Sequence, residues 1–308
     1  MNFSVVYSSG PHANYSAEDC SLPIAHGVAL ITTNTMVCLL GTLGNLLVCG
    51  AVVTNPRLRR SSNYLLFSLA IADLIVTMIC EPIFVAIICR ISFFNDCATS
   101  LDHPYLILAM LSCTASIFHM ASISVDRFIA IVFPLHHRFI MERYGLKAML
   151  LTSWVAPFLV PISHQFVPNS LGKSLLGLGI FAVGYIVVFV CYSLIVISLV
   201  RHRKIRRQLT STETNSHTEV RIAITLSIVI AVFTASWFPL IVTFICTVKR
   251  YGIASMWIRT LALSNSAMNF VIYGSRMQSF REGFATICRK ILGLFPLKFS
   301  RTVTYNVN

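Results

Sequence analysis

The stretch from His103 to Pro134 is one long apolar run that carries Ser116 in its middle and Asp126-Arg127-Phe128 near its end. At ~1.5 Å per residue, a helix of that length exceeds the ~30 Å hydrocarbon thickness of a bilayer, so the run reads as a membrane helix. A charge at membrane depth costs at least ~2.5 kcal/mol, and Asp126-Arg127 therefore demands compensation. The two neighbours partly neutralise one another at the membrane boundary, and Arg127 is expected to find a further acid on another helix.

Six more apolar stretches accompany this one, so that spans are expected at 27–54, 62–89, 103–134, 145–167, 172–200, 220–247 and 255–274. Each is near or above the ~20 residues that a crossing needs. With 56% hydrophobic and 11% charged residues, the 308-residue chain is far from a soluble composition. The expected fold is all-α, a seven-transmembrane helix bundle.

Basic residues give the orientation. With Met1 outside, all of the 24 Lys and Arg except Arg90, Lys173, Lys249, Arg250 and Arg259 fall in cytoplasmic segments and at cytoplasmic helix ends. Under the positive-inside rule the N-terminus is expected outside and the C-terminus inside. The net charge of +13 is then a topology signal, not evidence for nucleic acid. It points instead to anionic inner-leaflet lipids and an acidic cytosolic protein as partners.

Residues 1–26 form a polar extracellular tail without the basic-then-apolar layout of a cleaved signal peptide, and Asn2 and Asn14 head glycan acceptor sequons. Of the 11 acids, Asp73 is the most deeply placed, with Glu81 two turns closer to the outside. A buried carboxylate needs partners or a cation, or it holds a proton. Asn265, Ser266 and Asn269 fall largely on one face of the last span, and Ser116 is at a similar depth. With Asp73 they make an all-oxygen shell suited to sodium; the competing reading is a protonated Asp73 in a purely structural polar network. Glu219 opens the sixth span and is the natural acid for Arg127, a pair that acts as a latch if the helix must move. Pro239, after Phe233 and Ser236-Trp237-Phe238, supplies a bend that turns rotation of one half of that span into swing of the other.

Gly44-Asn45, Leu69-x-x-x-Asp73, Asp126-Arg127-Phe128 with Pro134-Leu135, Trp154, Trp237-x-Pro239 and Asn269-x-x-x-Tyr273 stand in one order. That order resembles rhodopsin-like (class A) G-protein-coupled receptors. The resemblance covers residues 27–274, and 275–290 is similar to that family's amphipathic eighth helix, with 291–308 a cytoplasmic tail. It implies a receptor that binds an extracellular ligand and activates a heterotrimeric G protein by outward movement of helix six, with arrestin and receptor kinase as further partners, at the plasma membrane. Asp126, Arg127, Glu219, Leu135, Tyr192 and Tyr273 become the coupling and latch residues, with Leu135 an apolar plug; Phe233, Trp237 and Pro239 become the activation switch. Cys288 becomes a candidate palmitoylation site. Sodium is then an allosteric ion, and no other cofactor is implied. Glu142-Arg143-Tyr144 is a decoy, since it falls in the second cytoplasmic loop.

The departures refine the resemblance. Phe128 replaces the usual Tyr, Phe270 the usual Pro of the last span, and Ser236 the frequent Cys, while Gly184 stands where span five normally has Pro. Asp102 takes the place of the half-cystine at the outer end of span three. No Cys occurs between Trp154 and Gly184, so the usual tether to the second extracellular loop cannot form. This is similar to the melanocortin, cannabinoid and adenosine receptor group, with Ser122-Ile123-Ser124-Val125 and Ile272-Tyr273-x-Ser275-Arg276 most like melanocortin receptors. Among the cysteines, Cys20, Cys89, Cys97 and Cys246 lie outside or near the outer ends, and both Cys20–Cys97 and Cys89–Cys97 bridges are open.

Ala109 stands where amine receptors place an Asp, and Leu263 where opsins place the retinal-bearing Lys. The ligand cavity is expected to be lined by Ala109, Cys113, Trp237, Leu240 and Phe244, with Glu81 and Asp102 near its mouth. That suits a lipid, a neutral small molecule, or a peptide with a basic residue. A transporter or channel is the alternative from another class; it predicts internal repeats and a polar path, and neither is visible. No constellation of nucleophile, base and orienting group argues for an enzyme.

Overall fold

A computed structural model describes residues 21–97, 99–167, 170–209, 216–245, 251–291 and 293. The first span is α1 (Ile24–Thr54). The second is α2 (Ser61–Ile75), a π-helical turn (Val76–Cys80) and α3 (Glu81–Phe94), end to end. The third is α4 (Thr99–Val132), followed by the short α5 (Pro134–Ile140). A second π turn (Met141–Gly145) leads into α6 (Leu146–Phe166), the fourth span. The fifth and sixth are α7 (Ser170–Leu209) and α8 (Ser216–Ile245). The last crossing is α9 (Ile253–Ser264), a 3-10 turn (Asn265–Ala267) and α10 (Asn269–Arg276), after which α11 (Gln278–Ile291) runs as the amphipathic helix.

By length and composition five of these helical stretches are apolar enough to cross a membrane, and Ser227–Thr243 in α8 is a shorter apolar segment. Apolar side chains such as Leu39, Leu43, Ile186 and Phe189 are exposed on the bundle surface, as a lipid-facing exterior requires. α4 is central and packs on α2, α6 and α7.

Several boundaries differ from the sequence expectation. Span two continues to Phe94, because nothing helix-breaking follows Cys89 until Asn95, which adopts a left-handed φ of 49° and ends the helix. The fifth span, expected from 172, begins earlier, since α7 starts at Ser170. The eighth helix starts at Gln278, not 275, because α10 carries on to Arg276 and Met277 provides the extended break. Helices α6 and α8 run through Pro157, Pro161 and Pro239, because neighbouring helices can satisfy the carbonyl that a proline leaves free.

The π turn in span two has a definite cause and effect. Pro82 has no N–H to return to the preceding turn, and a wider turn before it relieves the clash. On an unbroken α-helix Asp73 and Glu81, eight residues apart, would be turned about 80° from one another. The wider turn rotates Glu81 back toward the face of Asp73, and both are completely buried.

Small residues set how closely the helices approach. A Cβ at Gly44 would lie 2.0 Å from the Phe270 ring, so the Phe that replaces the usual Pro is seated on a glycine. A Cβ at Gly184 would lie 2.7 Å from Ile117, so the Gly that replaces the usual span-five Pro lets α7 close on α4. In a bilayer, where burial of apolar surface does not drive helices together, such close packing and interhelical hydrogen bonds are what hold the bundle. One such chain ties three spans. His119 Nδ1 donates to Ala115 O (2.8 Å), so its Nε2 accepts from Ser68 Oγ (2.9 Å), which in turn accepts from Trp154 Nε1 (2.8 Å).

Candidate functional site

Among the described residues, besides the Ser68–His119–Trp154 chain, buried polar groups gather near the Arg127 end, in the middle and toward the Ile24 end. At the Arg127 end, Asp126 is completely buried and gathers four donors. Its Oδ2 accepts from Ser62 Oγ (2.7 Å) and from Arg127 Nε (2.8 Å) and Nη2 (2.5 Å), while Oδ1 accepts from His137 Nε2 (2.9 Å). Arg127 is thus folded back onto its own neighbour. The expected acid on another helix, Glu219, is on α8 with its side chain outside the described residues. Ser62 and His137 were missed in the sequence: a serine at a helix start and a histidine in a loop carry no local signal until α2 and α5 are packed beside α4. Leu135 is 91% exposed on α5.

In the middle, Asp73 Oδ2 accepts from Asn269 Nδ2 at 2.8 Å, with Ser266 also acting on the carboxylate. Ser116 and Asn265 are buried in the bundle, whereas the side chains that engage Asp73 are those of Asn269 and Ser266. Asp73 Oδ1 is buried with no hydrogen-bond partner. Asn45 ties α1 to the same region by donating to Gly41 O (3.0 Å) and Ser266 O (2.9 Å). Among the described residues no group of three or more His, Cys, Asp and Glu is placed to hold a metal, so any ion at Asp73 would meet one carboxylate and neutral oxygens.

The aromatic residues expected to act as the switch form a continuous cluster: Phe233 lies 6.0 Å from Trp237 and 6.2 Å from Phe181, ring centre to ring centre. Both Phe233 and Trp237 are buried. Tyr192 bonds Ser227 across α7 and α8, whereas Tyr273 stacks on Phe280 at 5.7 Å with its hydroxyl unpartnered.

Toward the Ile24 end, Glu81 is completely buried and Asp102, far from being open at a mouth, is buried and engaged by the Tyr251 hydroxyl. Ala109 and Cys113 are half-buried on α4; Phe244 is on α8, its side chain outside the described residues. Tyr105 stacks on Phe84 at 5.1 Å and lies under the Arg259 guanidinium at 6.0 Å. Tyr251, Tyr105 and Arg259 were not singled out in the sequence, because an outward basic residue and two tyrosines are ordinary until the helices converge. Cys97 is disulfide-bonded, and Cys89 is a free thiol. The Cys89–Cys97 alternative is therefore overturned: both cysteines flank the Asn95 turn, but Cys89 is held within α3. The bridge joins Cys97 to a residue outside the described ones, where Cys20, Asn2, Asn14 and Cys246 also lie.

A polytopic bundle with a buried Asp126 engaging Arg127 at one end, a buried carboxylate in its middle and a buried aromatic cluster has the architecture of a membrane signalling receptor. The sequence matches the family "7 transmembrane receptor (rhodopsin family)" over residues 44–174 and 167–273, and the chain belongs to that family. It is a G-protein-coupled receptor, which sets aside the transporter and enzyme alternatives. It is similar to human adenosine receptor A2a, at 27% identity over 87% of this chain and 74% of that one. It is similar also to chicken adenosine receptor A2b, at 26% over 85% and 88%, and to bovine adenosine receptor A3, at 26% over 88% and 93%. Adenosine receptors are in the group to which the missing loop tether and the missing span-five proline pointed.

Proposed function

We propose that the chain works as a two-state receptor in the plasma membrane, N-terminus outside, in which a ligand entering from the Ile24 end shifts α8 outward about Pro239 and frees Arg127 for a G protein. The observation that carries this is the fourfold engagement of Asp126, which holds the Arg127 guanidinium inward beside Ser62 and His137. Glu219 adds the acid from α8 that must part from Arg127 when that helix swings. Leu135, exposed on α5, is the apolar plug that the G protein receives. As α8 moves, Tyr192 leaves Ser227 and the unpartnered Tyr273 hydroxyl gains a partner.

Sodium fits at Asp73 in the resting state. Asp73 Oδ1 is a buried acceptor with no donor, Asn269 donates its amide N–H to the other carboxylate oxygen and Ser266 brings a hydroxyl to the same group; in this reading the side-chain oxygens of Asn265, Asn269 and Ser116 complete the shell. One carboxylate suits a monovalent ion better than a divalent one. The exposed thiol of Cys288 on α11 is the palmitoylation site, beside inner-leaflet lipids, and arrestin and receptor kinase act on the same cytoplasmic face.

The deciding experiment is nucleotide exchange on a G protein by the reconstituted chain. Arg127→Ala, matched for surface expression, abolishes stimulated exchange and Arg127→Lys restores only part of it, because an ammonium lacks the planar fork of the guanidinium. Full exchange by Arg127→Ala would remove Arg127 from the coupling role.

A further inference from the structure

The corner between the last crossing and the amphipathic helix holds a cavity of about 170 Å³, lined by Ser275, Arg276, Gln278 and Arg281. Its walls follow from the chain. α10 ends at Arg276, Met277 turns the backbone with φ −112° and ψ 105°, and α11 begins at Gln278. Arg276 and Arg281 thus come from two helices that meet at a single residue, and the Tyr273–Phe280 stack holds the same corner.

The cavity is rich in donors and has no acid of its own to meet them. Arg276 Nε is out of contact with water and has no hydrogen-bond partner. Among the described residues neither Arg276 nor Arg281 makes an ion pair. Ser275 Oγ is already committed to Ile272 O (3.1 Å), and Gln278 Nε2 gives one hydrogen to Glu282 Oε1 (2.9 Å) and keeps the other. Glu282 is the only acid of α10 and α11, so one carboxylate faces two guanidinium groups. The neighbouring elements do not restore the balance: α1 carries no acid, the Pro56–Leu58 turn brings Arg57, and Glu219 and Arg221 of α8 cancel.

A buried donor without an acceptor is costly, and the group that satisfies this corner is an anion able to engage two arginines. A phosphate monoester carries about −1.5 to −2 charge near neutral pH and three strong acceptor oxygens, where a carboxylate has one charge and two oxygens; arginine pairs with phosphate through parallel N–H bonds. A water's share of liquid volume is about 30 Å³, so the cavity has room for several water-sized atoms, such as the oxygens of one phosphate group.

We propose that this corner binds a phosphate monoester, with Arg276 and Arg281 pairing with its oxygens and Gln278 giving its remaining N–H. The ester is borne on an inner-leaflet lipid headgroup or on a soluble molecule, since both present the same group. Once bound, one anion ties the end of α10 to the first turns of α11 across Met277. The site goes beyond the receptor reading and does not depend on it.

Thermal unfolding of the purified full chain in phosphatidylcholine bilayer discs tests it, at constant ionic strength and with no G protein present. A ligand that binds only the folded state raises Tm as its concentration exceeds its Kd. The lipid arm adds phosphatidylinositol bisphosphate to the discs, with phosphatidylserine at matched charge as its control; the soluble arm adds inositol trisphosphate, with citrate as its carboxylate counterpart. At least one phosphate monoester raises Tm, and the arm in which it does so identifies the source; phosphatidylserine and citrate do not. Arg276→Gln and Arg281→Gln each weaken the phosphate by about tenfold or more, since charge-assisted bonds are lost. Arg281 is exposed, so its variant decides the matter even if Arg276→Gln fails to fold. Glu282→Gln tightens the phosphate severalfold because a repelling charge is gone, and Arg289→Gln, in the last turn of α11, changes little. No shift in either arm, equal shifts with phosphatidylserine or citrate, an unchanged response in Arg281→Gln, weakening in Glu282→Gln, or equal weakening in Arg289→Gln would each overturn the proposal.

Discussion

Asp126 shows how much a single buried carboxylate can organise. Two of its donors come from the adjacent Arg127, one from Ser62 on α2 and one from His137 on α5, so one side chain joins three elements. A hydrogen bond to a charged group contributes about 1.5–3 kcal/mol, enough that its loss from one state shifts a two-state equilibrium about tenfold or more. His137→Ala is therefore expected to raise ligand-free nucleotide exchange severalfold. Glu219→Ala is expected to raise it as well, by less, because Asp126 still holds Arg127. Basal exchange at matched surface expression measures both; no change in either variant would mean that Arg127 is not latched. The pair Asp126-Arg127 was legible from the chain because two charges beside an apolar run demand an explanation. Ser62 and His137 were not legible, since neither type is unusual where it stands.

Between elements, the departures from the family pattern are paired with small residues elsewhere. Phe270 replaces a proline, and the ring occupies space that only a glycine at 44 leaves open. Overpacking a close helix contact costs about 1–3 kcal/mol. Gly44→Ala should therefore lower Tm by several degrees, and Gly44→Ala combined with Phe270→Ala should recover most of that loss, since the coupled pair is not additive. Equal losses from Gly44→Ala with and without Phe270 would exclude the contact. The π turn at Val76–Cys80 belongs to the same scale. A proline such as Pro82 disturbs the turn before it, but that the disturbance takes the form of a wider turn, and thereby aims Glu81 inward, depends on how α3 packs against α1 and α4.

Across the whole molecule, a polar middle lies between the two ends, where α2, the last crossing and α1 meet at Asp73, Asn269, Ser266 and Asn45. An ion held there biases the receptor only by its difference in affinity for the two states. Replacing sodium by a large organic cation at equal ionic strength should raise agonist affinity in the parent, and Asp73→Asn, which keeps the shape and removes the charge, should be insensitive. The same sodium response in both would identify Asp73 as a protonated structural acid. Phe270 beside Asn269 is the feature that most tests this expectation, since the family's proline is absent there.

The sequence by itself determined the class, the number of crossings and the candidate pairs. Those follow from local quantities: the length of apolar runs, the cost of charge within them and the spacing of a few motifs. Tertiary structure alone decided the pairings that depend on contact between distant segments. It placed His137 and Ser62 on Asp126, turned Glu81 into a buried acceptor, laid Arg259 over Tyr105 and excluded Cys89 from the disulfide. The physical reason is that a side chain's worth is set by its partners, and in a helix bundle those partners lie on other helices, tens to hundreds of residues away along the chain.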